Sequence, residues 1–150
     1  MKRIVIFSFL VITAFSYAQE NTTRLNWLTD LEEAKKTAKK EKKNILLYFT
    51  GSDWCSPCKM LKEDFFNTAQ FEERSKDMVL LLIDYPRRTD ILTPEQLKYN
   101  KQIVLKYNTQ KSFPNLLAMN SNGKTLGNIS GYSYLRETQN HYAFLDKYFR

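Results

Sequence analysis

Two cysteines stand three positions apart, Cys55-Ser56-Pro57-Cys58, between two segments of opposite pattern. Before them runs Asn44-Ile-Leu-Leu-Tyr-Phe-Thr50, a continuous apolar stretch rich in branched and aromatic residues. A run of that length suits a strand buried on both faces. Gly51-Ser52-Asp53 breaks it, and from Pro57 onward Met60, Leu61, Phe65 and Phe66 recur at helical spacing. The cysteines are therefore expected where a buried strand ends and a helix begins. Pro57 fits the first helical turn, where its missing N–H matters least.

That placement has a chemical consequence. Unpaired N–H groups and a partial positive charge at a helix start favour an anion. A thiolate at Cys55 would be stabilised there, its pKa drawn below the usual ~8.5. Cys58 lies one turn further on, within bridging reach. Cys55 is expected to be the attacking, more exposed thiol, and Cys58 the resolving one. A passive staple is the poorer reading. Closing a four-residue loop removes only ~1.9 kcal/mol of unfolded-chain entropy, against ~4.7 for a hundred-residue loop.

The N-terminus frames the compartment. Met1-Lys2-Arg3 is followed by an apolar run, Ile4 to Phe15, and then by Ser16-Tyr17-Ala18. This is the three-part pattern of a secretory signal peptide. The run is shorter than the ~20 residues that span a bilayer. The expected organisation is a leader over 1–18 and one domain over 19–150. The product would be exported to a periplasmic or extracellular space, where thiols are not kept reduced by default. The full chain has 150 residues and carries +7. Its two cysteines and one histidine cannot fill a four-ligand zinc site.

The segment Phe49-Thr-Gly-Ser-Asp-Trp54-Cys55-Ser-Pro-Cys58-Lys59 resembles the active-site segment of the thioredoxin superfamily, and is most similar to exported bacterial thioredoxin-like proteins. Further matches follow in order. Met78 to Asp84 resembles the next central strand, and Ser112-Phe113-Pro114-Asn115 the loop carrying the family's cis-proline. Leu116 to Asn120, Asn122-Gly123 and Lys124 to Ser130 resemble the hairpin that follows, and Gly131 the glycine before the last helix. Asn-Gly between apolar stretches is a tight-hairpin signal in its own right. The similarity is good over 44–131 and loose over 27–150.

The resemblance implies an α/β fold of thioredoxin-like type: a central mixed sheet of four or five strands with helices on both faces. It implies a thiol–disulfide oxidoreductase, a reductase rather than an oxidase. Trp54, Phe113 and a cis Pro114 would shape the docking groove, with Pro57 and Lys59 in support. No bound cofactor is implied. The substrates would be protein thiols and disulfides, and electrons would pass through a membrane-bound or soluble dithiol donor. A monomer is expected. The alternative is a non-catalytic binding module using the same groove. Many thioredoxins also bury an Asp behind the resolving cysteine and pair it with a Lys. Tyr48 or Phe49 stands at the first position here, and Leu80 at the second. The proton acceptor for Cys58 is then left open among Asp53, Glu63, Tyr48 and water.

Elsewhere, Trp27 to Lys43 reads as an amphipathic helix with Leu28, Leu31, Ala34 and Ala38 inward and Asp30 with Glu33 as a capping box. Its lysine-rich face reads as solvated, with no nucleic-acid partner. Thr68 to Lys76 and Pro94 to Tyr107 read as helices, and Tyr85 to Thr93 as a loop. Tyr134 to Phe149 reads as a final helix packing Leu135, Tyr142, Leu145 and Phe149. His141, far along the chain from Cys55, does not suggest a Cys–His hydrolase.

Overall fold

The computed structural model describes residues 25–149. The expected leader over 1–18 and its cleavage point lie outside them. Five strands form one sheet: β1 (Trp27–Leu28), β2 (Asn44–Thr50), β3 (Met78–Asp84), β4 (Asn115–Met119) and β5 (Thr125–Ser130). Their spatial order is β1-β3-β2-β4-β5. β3 runs parallel to both β1 and β2, β4 is antiparallel to β2, and β5 closes an antiparallel hairpin with β4. The helices are α1 (Leu31–Glu41), α2 (Ser56–Leu61), α3 (Ala69–Ser75), α4 (Pro94–Tyr107) and α5 (Gln139–Tyr148). The mixed sheet with helices on both faces is the thioredoxin-like architecture that the sequence implied.

The alternation of β2 explains the two layers. Leu46 and Tyr48 point into a cluster with Leu61, Phe65, Phe66 and Phe71, closed by Leu145 and Phe149 of the C-terminal segment. Ile45, Leu47 and Phe49 point the other way, onto Leu31, Ala34 and Ala38 of α1 and Ile103 and Val104 of α4. Burying each large side chain of this set contributes about 1.5–3 kcal/mol. Asp30 caps α1, its carboxylate accepting the Glu33 N–H at 2.8 Å. Thr93 and Thr68 cap α4 and α3 in the same way.

Three boundaries differ from expectation, each for a local reason. Trp27 and Leu28 are not helical. They pair with Leu80 and Leu81 as the edge strand, and Trp27 sets its ring 5.3 Å from that of Phe66. The Asp30 cap starts the helix only after them. Between α2 and α3, residues Lys62–Phe66 form a π-helical turn. The inserted residue lets the neighbours Phe65 and Phe66 both face the core. The final helix begins at Gln139 rather than Tyr134. Leu135, expected inside, is 77% exposed, because residues 133–136 form a turn closed by Arg136 N–H to Ser133 O at 3.1 Å. The Asn122-Gly123 hairpin is as expected. Gly123 takes φ +85°, and the Asn120 carboxamide oxygen accepts the N–H groups of Asn122 and Lys124, each at 3.0 Å.

Candidate active site

Thr50 ends β2, and the chain turns at Gly51. Its carbonyl accepts the N–H groups of Trp54 at 3.2 Å and Cys55 at 2.8 Å. A side chain on Gly51 would collide with the Trp54 indole, so this turn requires glycine. Cys55 then caps α2, its Sγ accepting the Cys58 N–H at 3.3 Å. Pro57 sits in the first turn, where it removes no helical hydrogen bond. Cys55 and Cys58 are joined as a disulfide, their Cα atoms 5.3 Å apart. Lys59 is exposed and reaches back to the Asp53 carbonyl at 3.4 Å.

Exposure of the two cysteines corrects one expectation. Cys55 is 1% exposed and Cys58 2%, so in the disulfide state Cys55 is not the more open residue. The Gly51–Cys55 turn draws it back onto the helix start. The turn is itself latched to the loop after β3. Asp53 accepts the Arg87 N–H at 3.0 and 3.2 Å and the Arg88 N–H at 3.0 Å. Burial alone would raise the Asp53 pKa; the Arg88 and Arg87 N–H groups hold it below the usual carboxylate value. Asp84 accepts both the N–H and the hydroxyl of Ser52, at 2.9 and 2.6 Å. The Trp54 indole donates to the Tyr85 carbonyl at 2.8 Å, and the Arg87 guanidinium lies 4.7 Å from its ring centre. This latch was not legible in the sequence. Its members are isolated polar residues with no period, brought together by the pairing of Thr50 with Asp84.

The Phe113–Pro114 bond is cis. Phe113 meets Trp54 edge to face at 5.4 Å and stacks on Tyr85 at 5.9 Å. Pro114 is buried one step before Asn115, which pairs with Phe49 of β2. Pro114 thus lies at the sheet end from which the Gly51–Cys55 turn departs. Asn108, 3% exposed, frames this loop: its carboxamide bonds Ser112 N–H at 3.1 Å, Ser112 O at 2.8 Å and the Asn115 amide at 3.2 Å. That framing role was not legible in the sequence either.

Behind Cys58 the two-way choice between Tyr48 and Phe49 is resolved. Tyr48 faces α2, and Phe49 faces α1. The Tyr48 hydroxyl donates to Thr50 Oγ1 at 3.2 Å and lies 3.4 Å from the Cys58 carbonyl. Burial, opposed by the Thr50 hydrogen bond, pushes its pKa up to about 12. Leu80 shares the same apolar cluster. Asp53 is engaged by the Arg87–Arg88 backbone, and Glu63 by Arg136 at 3.1 Å. A neutral hydroxyl, rather than a carboxylate, therefore backs the Cys58 peptide. His141 lies in α5 between the rings of Phe65 and Tyr132, each 5.5 Å away. Among the described residues no three His, Cys, Asp or Glu side chains gather into a set able to hold a metal ion.

A family model described as thioredoxin-like matches residues 26–121. The chain belongs to the thioredoxin-like family. One curated relative of this thioredoxin-like chain is the disulfide bond reductase DsbH of Chlamydia pneumoniae, 28% identical over 98 residues, or 65% of this chain. The match spans 58% of that relative's own length. A solved DsbH oxidoreductase structure superposes with a TM-score of 0.66 at 25% identity, covering 82% of this chain and 81% of that one. The oxidised C-terminal domain of Neisseria meningitidis DsbD shares the fold at a TM-score of 0.58 and 21% identity, covering 82% of this chain and 99% of that domain.

Proposed function

We propose that the protein is an exported thiol–disulfide oxidoreductase working as a reductase on protein disulfides through Cys55 and Cys58. The observation that carries this reading is the Cys55 sulfur at the N-cap of α2, accepting the Cys58 N–H and bonded to Cys58. A donor and a positive helix end at that sulfur favour its thiolate over its thiol. In the reduced protein the Cys55 thiolate attacks one sulfur of a substrate disulfide. A Cys55–substrate bond forms and one substrate thiolate leaves. The Cys58 thiolate then attacks Cys55 Sγ, the internal disulfide closes and the second substrate thiolate leaves. The substrate gains two electrons and the protein loses two. A membrane-bound or soluble dithiol protein returns them, so the cycle uses no bound cofactor. Trp54, Phe113 and Pro114 line the groove for the substrate segment, and Pro57 and Lys59 support the helix start. The leader-like sequence over 1–18 supports export, with a mature domain over 19–150 acting in the periplasm or outside the cell as a monomer.

The near-complete burial of Cys55 favours a second reading, a binding module that holds a partner in the same groove without exchange. Mutants separate the two. The wild type is expected to accelerate reduction of insulin by dithiothreitol. Cys58→Ser is expected to trap a mixed disulfide through Cys55, and Cys55→Ser to trap none. Background activity in both wild type and Cys55→Ser would overturn the catalytic reading. Biological function retained when both cysteines become alanine would establish the binding module.

A further inference from the structure

Asp53 and Trp54, the two residues before Cys55, both hold the loop after β3, and both meet it at Arg87. Asp53 accepts the Arg87 N–H on its two carboxylate oxygens, at 3.0 and 3.2 Å, which fixes the Arg87 backbone. The Arg87 side chain folds over the Trp54 indole, its guanidinium carbon 4.7 Å from the ring centre. That indole is itself held, by its N–H to the Tyr85 carbonyl at 2.8 Å and by the edge-to-face Phe113 ring at 5.4 Å. A long, exposed side chain is thereby given one place, and the attraction of a cation for an indole face keeps it there.

The charge held in that place is not consumed. Arg88, next in the chain, pairs its guanidinium with Asp90. The Arg87 guanidinium makes no ion pair and no hydrogen bond among the described residues. Asp53, the acid that pins its backbone, is engaged by the N–H groups of Arg87 and Arg88. A ring face supplies no oxygen to the five N–H donors, so the fork stays open to a carboxylate. Lys59, exposed and reaching the Asp53 carbonyl at 3.4 Å, adds a second cation at the same turn.

The position of this cation ties it to the disulfide. Trp54 adjoins Cys55, with Cα atoms about 3.8 Å apart as across any trans peptide. An extended polypeptide advances about 3.3 Å per residue. A side chain within roughly three residues of a cystine engaged at Cys55 is therefore within reach of the guanidinium on Trp54.

We infer that Arg87 is a specificity-determining residue that selects protein disulfides carrying an Asp or Glu close to the cystine and binds that carboxylate through its guanidinium. The inference rests on the proposed disulfide exchange and adds to it the charge of the substrate segment. A carboxylate is the anion that an unmodified polypeptide carries, and the fork geometry matches it in two parallel hydrogen bonds. Pinning of the backbone and stacking of the side chain spend the ordering cost before the substrate arrives.

Two synthetic peptides with one internal disulfide test this, identical except for Glu or Lys two positions from one cysteine. The readout is the Glu-to-Lys ratio of kcat/KM, each value divided by the rate of direct reduction by dithiothreitol. Within one variant that ratio cancels any change in the reactivity of Cys55. The wild type is expected to favour the Glu peptide about tenfold, attraction of one side chain and repulsion of the other each contributing about threefold. Arg87→Gln should lower the ratio to about threefold or less, and Arg87→Glu should lower it further. Arg87→Lys, which keeps the charge but not the fork, should fall between Arg87→Gln and the wild type. Raising sodium chloride to about 0.5 M should bring the wild-type ratio close to that of Arg87→Gln. An equal ratio in wild type and Arg87→Glu overturns the assignment, as does a loss in Arg87→Gln that Arg87→Glu does not deepen. A wild type that reduces both peptides without preference refutes the role of Arg87 alone, whereas one that reduces neither refutes the exchange chemistry beneath it.

Discussion

Replacing Tyr48 by the buried acid that many thioredoxins carry is expected to damage this protein rather than improve it. Tyr48 is 4% exposed, with its ring 4.5 Å from Phe66 and 5.9 Å from Trp27. Emptying an aromatic core site costs about 3–5 kcal/mol. An aspartate refills part of that space but brings a carboxyl into an apolar cluster with no cation, adding about 1–3 kcal/mol even when neutral. Tyr48→Asp should therefore lose about 4–6 kcal/mol, a large share of the 5–15 kcal/mol typical of a domain. Burial would raise the pKa of the new carboxyl above its unfolded value of about 3.9. The folded state then binds that proton more tightly, so the loss should shrink as pH falls through the raised value. Leu80 lies on the same face, diagonal to Tyr48 in the β2–β3 register. A double-mutant cycle with Leu80→Lys should show a favourable coupling of about 1 kcal/mol or more, because each charge gains a partner. Urea unfolding of the oxidised protein at pH 7, followed by near-UV circular dichroism, measures both quantities. A single variant losing less than about 2 kcal/mol, or a cycle with no coupling, refutes the account of a neutral, hydroxyl-backed Cys58.

Other outcomes follow from the same geometry. Gly51→Ala places a methyl group inside the Trp54 indole, so it should cost about 1–3 kcal/mol and shift the tryptophan emission spectrum. Asp53→Ala releases the Arg87–Arg88 loop from the active-site turn, and should speed reduction of the buried disulfide by glutathione severalfold in stopped-flow fluorescence. Burial lowers the His141 pKa below its usual 6.5, with no hydrogen-bond partner at either ring nitrogen among the described residues. The unfolded chain therefore takes up that proton first, so the stability contribution is complete above about pH 6.5 and is lost as pH falls below it. His141→Leu should flatten this acid limb in melting curves between pH 7 and pH 5.

What the sequence displayed depended on whether its signal was local. The β2 run, the Asp30 cap, Pro57 in a first turn and Asn122-Gly123 all act within a few residues, and each was legible. Family likeness then supplied what spacing cannot, the cis peptide at Pro114 and the mixed character of the sheet. The misses arose where long-range packing set the outcome. Trp27 and Leu28 fit a helical stripe, yet an open edge of β3 recruited them as a strand. Phe65 and Phe66 could not both face inward on a regular helix, and a π-helical turn absorbed the mismatch. Leu135 fell on the apolar stripe of α5, but the chain forms a turn over 133–136, where Arg136 pairs with the distant Asp64, and the helix starts only at Gln139. The polar latch of Asp53, Ser52 and Asp84 was invisible for the same reason: its members meet only after β2 and β3 have paired. Burial of Cys55 belongs with it, since a helix-start position predicts the charge environment of a sulfur but not its exposure.

The start of α2 is expected to hold the Cys55 sulfur as a thiolate near neutral pH. Thiolate absorbance of the reduced Cys58→Ser protein, titrated from acid to alkali, reads that ionisation alone, because the serine keeps the N–H that faces Cys55 Sγ. A midpoint below about 7.5 is expected. A midpoint at or above the ~8.5 of a free cysteine contradicts it.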